Sequence, residues 1–409
     1  MTPFRSVAFR QLWGSSLASA GAQGMERTAT AWLALEAGGG AFAVGLVFAA
    51  RMLPSLLLGL VAGTVADRAG RSRQLLAVAL AGLTLMSAFS WLIWSGPLYA
   101  WQPVGIAFAF GCLQVFDTPA RQTLVTDTVP EDSAARALAL NALAARLAGA
   151  GGALIAGALI PPFGVARCYL AIAAAYGIGG VILSRLRVAR RDHGAVIYPP
   201  FVQALREAAR LIVAVPAVRT LSIAGIACEI FAFSHGSALP IVAHDVLAVG
   251  AAGLGALNAA VAIGGTIAVA LLAALPSRVR RQPLLGAVFV LYGLSLLALA
   301  SARSLPVAVA ILVVTGLCAG AFDLLQQTLI QLAVPEAQRG RAVGVWMLGL
   351  GSAPAGHLEM GALAAAIGAP GGLLINGSLT LLSAAVLLVR APNYRWATRQ
   401  RTDASPRPE

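Results

Sequence analysis

Apolar stretches about 20 residues long recur down this chain, parted by short turns that gather most of its charge. A helix rises about 1.5 Å per residue, so about 20 apolar residues cross the hydrocarbon of a bilayer with every backbone group bonded inside the helix. The stretches fall at 11–36, 43–66, 74–95, 103–127, 136–161 and 167–186, then at 218–243, 250–275, 283–302, 305–331, 342–366 and 370–389. Residues 284–302 and 360–389 hold no charge at all. Of the 409 residues 59% are hydrophobic and 11% charged, whereas soluble domains carry about a quarter charged. The pattern predicts an all-α membrane protein with twelve transmembrane helices.

All 29 basic residues are arginine, and the net charge is +13. With the N-terminus inside, the inward segments hold 23 of the 29 arginines and the outward loops only Arg167 and Arg303. That bias predicts an N-in, C-in orientation by the positive-inside rule. A basic chain can also bind nucleic acid, but here the arginines report topology and no nucleic-acid partner is expected. The N-terminus runs into the first span without a small-residue cleavage site, so no removable signal peptide is read. Cys112, Cys168, Cys228 and Cys318 fall inside apolar stretches and read as small core residues. No P-loop, nucleophile-and-base set or metal-ligand cluster is legible, so neither an enzyme nor a cofactor is expected.

The two halves of the chain echo each other. Phe116-Asp117, Gln122-Thr123-Leu124 and Val129-Pro130-Glu131 recur as Phe322-Asp323, Gln327-Thr328-Leu329 and Val334-Pro335-Glu336. The fourth span thus has the tenth as its copy, which predicts a six-plus-six parallel repeat. The expected organisation is a six-helix half over 1–187, a cytoplasmic linker over 188–217, a second half over 218–390 and a disordered tail over 391–409. In the linker, Phe201, Leu205, Ala208 and Ile212 share a helical face opposite Gln203, Arg206, Glu207 and Arg210, as in a helix lying on the membrane surface.

Between the second and third stretches the chain reads Gly-Thr-Val-Ala-Asp-Arg-Ala-Gly-Arg-Ser-Arg over Gly63 to Arg73. This spacing resembles the loop between the second and third helices of major facilitator superfamily transporters. Gly24-Met25, Ala31-Trp32-Leu33, Leu53-Pro54-Ser55, Asp117-Thr118-Pro119-Ala120-Arg121-Gln122, Ala139-Leu140-Asn141 and Arg146-Leu147 further resemble the branch containing the enterobactin exporter, the transmembrane secretion effectors. One departure is Gly149-Ala150-Gly151-Gly152, which lacks the proline many exporters carry before these glycines. The resemblance implies a cytoplasmic gate latch built from Gly63, Asp67, Arg68, Gly70 and Arg71, with Asp127 as ion partner of Arg71. The corresponding turn of the second half, 273–283, keeps Arg278 and Arg281 but has Ser277 where Asp67 would be copied, so that latch is expected to be degenerate.

Ionisable side chains at bilayer depth cost at least about 2.5 kcal/mol each and normally face a cavity or a partner. The spans keep Glu26 and Arg27, Arg51, Asp117 and Arg121, Arg146, Glu229 and His235, and Asp323. Counted by helical rise, Asp117 and Arg146 both lie about 15 Å from the inner ends of their spans. These heights predict a pair between them, and another between Glu26 and Arg51. Glu26, Asp117, Glu229 and Asp323, with Arg121 and Arg146 beside them, are the candidates for proton coupling in a cavity. His357 and Glu359 are two residues apart and point to different helix faces. Trp13, Trp91, Trp94, Trp101 and Trp346 read as interfacial tryptophans.

The expected protein is a monomeric secondary transporter whose partners are a small-molecule substrate, protons and the lipid bilayer. It would export a siderophore or drug by proton antiport and alternating access. A nutrient importer and a non-transporting sensor or assembly partner are the alternatives.

Overall fold

The computed structural model describes residues 3–188, 201–276 and 279–390, apart from the side chains of 59–69, 201, 202, 204, 205 and 337. The first half of the chain forms α1 (Val7–Glu36), α2 (Gly40–Ala69), α3 (Arg71–Ser95), α4 (Trp101–Asp127) and α5 (Ala134–Ser184). The second half forms α6 (Phe201–Ala214), α7 (Pro216–Ala227), α8 (His235–Ile241), α9 (Gly250–Ala274), α10 (Arg281–Ala300), α11 (Leu305–Leu332), α12 (Arg339–Leu350) and α13 (Ala353–Arg390). The expected tail at 391–409 lies outside the described residues. Among the described residues, eight helical segments are long and apolar enough to cross a bilayer. The protein is a multi-pass, all-helical membrane protein.

Helix ends follow from local chemistry. Ser6 caps α1 by accepting a hydrogen bond from the Phe9 amide at 3.2 Å. The 51-residue α5 is two helices joined at Gly164, whose φ of 79° breaks the helical path. Gly368 does the same in α13 with a φ of 77°. A left-handed backbone suits glycine because it has no Cβ to clash. The two kinks fall in equivalent places of the sequence repeat.

Buried cores segregate along the chain. One apolar cluster is built from residues of 208–387, and three others from residues of 9–186 joined by Ala251 alone from beyond them. Within the first half α1 crosses α5 closely: a Cβ on Gly24 would run into the Gly149 carbonyl, and one on Gly152 into the Gly21 carbonyl. Helices in lipid gain little from hydrophobicity against one another, so close backbone contact of this kind supplies the packing energy.

The halves meet along α5 with α9 and α2 with α13. Gly157 packs on Ala251 and Ala252, Gly255 on Ala153, and Gly45 on His357 and Gly361. Phe48 and His357 lie 5.1 Å apart, Trp32 and His244 5.7 Å, and Asn258 donates to Thr28 at 3.2 Å. These contacts crowd toward the end bearing Gly40, Gly164, Gly250 and Gly368. Toward the other end, where the arginine-rich turns lie, the contacts reach Leu56 against Gly351 and Arg146 against Gly265.

Within the segment expected as a linker the chain forms the helix α6. Ala208 and Leu211 are buried in the core of the second half, Arg206 and Arg210 are exposed, and Glu207 meets Arg341 of α12 at 3.1 Å. The side chains of Phe201 and Leu205, and residues 189–200, lie outside the described residues.

Candidate functional site

In the first half the buried acids carry their own cations. Asp117 and Arg121 stand one turn apart on α4, and Arg121 donates to both Asp117 oxygens at 2.6 and 2.9 Å. Its third nitrogen donates to Ser15 and Ser16 of α1 at 3.0 and 3.1 Å. This two-pronged geometry satisfies a guanidinium and a carboxylate together. The height-matched pairing of Asp117 with Arg146 is therefore corrected: Arg121 takes the acid, and Arg146 turns to the other half. Height along a helix does not set direction around it.

Glu26 of α1 is paired with Arg51 of α2, as height matching suggested. Thr30 donates to Glu26 at 2.8 Å and meets the Tyr169 hydroxyl at 2.6 Å. The Arg51 guanidinium lies 4.5 Å from the Phe110 ring centre, an added cation–π contact. It also reaches Gln114, which donates to Gln23 at 2.8 Å. Glu26 and Asp117 are thus held in closed networks.

The second half differs. Glu229 lies in a π-helical stretch, Cys228–Ala232, that follows α7. Such segments displace side chains from the regular helical path and recur at functional sites. Asp323 of α11 lies within electrostatic range of Glu229 and accepts a hydrogen bond from Trp346 of α12 at 3.2 Å. Trp346, expected near a span end or at the interface, thus also bonds an acid of α11. Both acids are partly exposed, and among the described residues neither is in an ion pair. Where Arg121 would be copied, Gln326 instead donates to the Leu221 carbonyl at 3.1 Å. The nearest cation comes from across the interface. Arg146 lies 3.1 Å from where a Cβ on Gly265 would stand, and within electrostatic range of Asp323.

Sequence reasoning missed a buried polar network higher in the second half. His235 lies 3.3 Å from the Tyr292 hydroxyl, and His357 lies 3.3 Å from Ser237. Asn376 donates to Ser234 at 3.1 Å and to Glu359 at 3.0 Å. His357 and Glu359 face different partners, as their spacing predicted. Ser234, His235 and Ser237 are clustered in an otherwise apolar run, as are Asn376, Ser378 and Thr380, and that clustering was the available signal.

At the hinge, Gly63, Asp67 and Arg68 lie outside the described side chains. Gly70 turns the chain with a φ of 84°, and Arg71 at the head of α3 meets Asp127 at the foot of α4 at 2.9 Å. Both partners belong to the first half. In the corresponding turn, Ser277 and Arg278 also lie outside the described residues.

Two helical groups joined along α5 with α9 and α2 with α13, with ionisable groups buried in both, fit a membrane transporter of the major facilitator type. The chain belongs to the transmembrane secretion effector family, whose sequence pattern matches residues 1–408. It is 28% identical over 408 residues to the multidrug efflux pump Tap of Mycobacterium tuberculosis (strain ATCC 25618 / H37Rv), covering 96% of this chain and 94% of Tap. The fold is similar to a bacterial homologue of the human lysosomal transporter Spinster solved inward-facing and occupied, with a TM-score of 0.71, 15% identity and 100% of both chains covered. It also resembles a POT family transporter solved with 5-aminolevulinic acid, with a TM-score of 0.74, 12% identity, 95% of this chain and 97% of that chain covered.

Proposed function

We propose that the protein is a proton-coupled exporter of small, drug-like organic molecules in a bacterial inner membrane, working by alternating access. The observation that carries the coupling is the contrast in counter-ions: Glu26 and Asp117 are paired within their own half, while among the described residues Glu229 and Asp323 are in no ion pair. A carboxylate without a fixed cation, partly open to a cavity, can exchange a proton with water as access alternates. Similarity to a multidrug efflux pump over nearly the whole length supports export.

Twelve crossings with both termini inside fit the geometry. To the eight apolar segments, α1 and α4 add two crossings that fall short in hydropathy through their charged and polar residues. The turns at Gly164 and Gly368 each divide one long segment in two. The end bearing the arginine-rich turns is then cytoplasmic, and the hinge at 63–73 with Asp127 forms a latch that engages as that end closes.

Everted vesicles test this reading. An imposed pH gradient should drive uptake of dyes such as ethidium and rhodamine 123, and nigericin should abolish it. Uptake that ignores the gradient, or that persists unchanged in Asp323→Asn, would sink proton coupling.

A further inference from the structure

Trp346 supplies Asp323 with a donor, as Arg121 supplies Asp117, but it does so from a different helix. Its ring packs against the apolar core of the second half, and its Nε1 donates to Asp323 at 3.2 Å. At the offset of the Val-Pro-Glu repeat its copy in the first half is Asn141, whose side-chain oxygen is buried without a hydrogen-bond partner. Asp117 has no call on that position, because Arg121 closes on it from its own helix. In α11 Gln326 stands in place of the arginine and turns to Leu221, so the acid takes its bond from α12.

The helix that carries this donor is short. Gly351 and Ser352 part α12 from α13, and α12 packs on α6, α7 and α11. Near its other end Arg341 meets Glu207 of α6 at 3.1 Å. A Cβ on Gly340 or on Gly344, one turn apart, would meet nothing within 4 Å, so one face of α12 is open. An indole N–H only donates. A bond from it to a charged carboxylate is about twice as strong as one to a neutral carboxyl, so this tie tightens when Asp323 is charged and slackens when the acid takes a proton. A guanidinium closed on the acid, as in α4, would instead hold it charged.

Few other ionisable groups share these surroundings. Cys228 and Glu229 come from the π-helical stretch after α7, Arg146 from α5, and Cys318 from α11 itself. Tyr292 of α10 lies 3.3 Å from His235, and α9 has no ionisable side chain. Arg219 and Arg281 are exposed near the starts of α7 and α10, while Arg339 and Arg341 of α12 are exposed and paired with Glu336 and Glu207.

We infer that Trp346 is a positioning residue for Asp323, fixing the acid in place and passing its charge state on to α12. The inference rests on the reading of Asp323 as an exchangeable proton site. Loss of the proton draws α12 onto α11, and its return frees α12. Trp346 itself takes no proton.

Gly344→Cys, in a background carrying Cys112→Ala, reports the freedom of α12 in purified full-length protein through its rate of reaction with a maleimide. In mildly alkaline buffer Trp346→Phe and Asp323→Asn should each raise that rate about tenfold, the size of one charge-assisted hydrogen bond. The double variant should react no faster than either single one. Rates taken relative to the double variant at the same pH cancel the chemistry of the thiol. On that scale the parent rate should rise as the buffer is made mildly acid, and both single variants should stay flat. Benzothienylalanine in place of Trp346 keeps the shape of the indole without its N–H, and serves also where Trp346→Phe fails to fold. It should match Trp346→Phe, and a rate equal to the parent's would assign the hold to packing and overturn the inference. Additive effects of Trp346→Phe and Asp323→Asn would overturn it as well. Non-additive effects with a parent rate that ignores pH would leave Trp346 in its place and sink the reading of Asp323 as a proton site. A parent rate that follows pH while the two substitutions add would keep that reading and remove Trp346.

Discussion

Asp117 and Asp323 are copies of one residue, yet the two halves treat them oppositely. In α4 the acid is followed one turn later by Arg121, which closes on it and on two serines of α1. In α11 one residue fewer separates the acid from the shared Gln-Thr-Leu, and Gln326 holds the place of the arginine. Arg121 bonds to Ser15 and Ser16, and Gln326 bonds to Leu221, the copy of Ser15 at the repeat offset, so the two side chains do the same bracing work. What the second half has given up is the charge. The comparison teaches that a repeated acid can be a strut in one half and, on the proposed reading, an exchangeable proton site in the other, according to whether its cation is built in.

The strongest way to break that comparison is to neutralise each copy. Asp323→Asn and Glu229→Gln should each reduce gradient-driven dye uptake in everted vesicles to the level of vesicles without the protein, while the amount of folded protein is unchanged. Asp117→Asn should leave a measurable, gradient-dependent uptake. If Asp117→Asn silences coupling and Asp323→Asn does not, the roles of the halves are reversed.

A second test acts on stability. Arg121→Gln makes the first half resemble the second and strands Asp117 in a buried site. Losing one member of a buried pair costs about 3–5 kcal/mol, and removing both members costs far less. Thermal unfolding in detergent should therefore show a large loss for Arg121→Gln and substantial recovery in Arg121→Gln with Asp117→Asn. The same cycle on Glu26 and Arg51 should behave alike. No recovery in either double variant would mean that the pairs are not self-contained units.

Much of this was open to reading from residues alone, for reasons the geometry makes plain. Crossing segments are written in composition, because a bilayer rejects charge over a fixed length, and so the helical turns at Gly164 and Gly368 fall between stretches already parted in the sequence. Arg71 with Asp127 was legible through the motif, and Glu26 with Arg51 through matched heights. Arg146 was misread because height is only one of two coordinates on a helix. The other, the direction around the axis, depends on packing that brings α5 against α9 from the other half. The spacing of Asp117 and Arg121, four residues on one helix, already placed them on one face and was the better guide. Trp346 beside Asp323, and Tyr292 beside His235, join elements far apart in sequence, and nothing local announces such contacts.

The join between the halves can be probed with a steric change of intermediate size. A Cβ on Gly45 would lie 2.5 Å from the His357 carbonyl oxygen and 2.9 Å from the Gly361 Cα, so Gly45→Val cannot be seated while the glycine end is closed. Overpacking of this kind costs about 1–3 kcal/mol. Because the clash exists only in the closed arrangement, the variant should populate the state open at the glycine end. A cysteine placed at Trp32, in a background carrying Cys112→Ala, should then react faster with a membrane-impermeant maleimide applied from that side. An unchanged rate would mean that this contact persists through the cycle.

The smallest expected effect is at the hinge, and it asks whether the arginine end has a lock of its own. Arg71 and Asp127 are paired at 2.9 Å, with the arginine side chain 18% exposed and the aspartate 5%. Both belong to the first half, so in the arrangement seen here the pair braces α3 on α4 and spans no gap. As a latch it would have to gain contacts when this end closes, and Arg71→Gln would then favour the open arginine end. A partly exposed pair is worth about 1 kcal/mol, which corresponds to about a fivefold shift between the two states. Reaction of a cysteine at Gln23 with a maleimide supplied from the arginine end should speed up by that factor at low salt. It should speed up less at high salt, where the wild-type pair is itself screened. A rate that does not move, together with a lowered melting temperature, would reduce the hinge to a brace within one half and leave the gating to the glycine contacts at the far end.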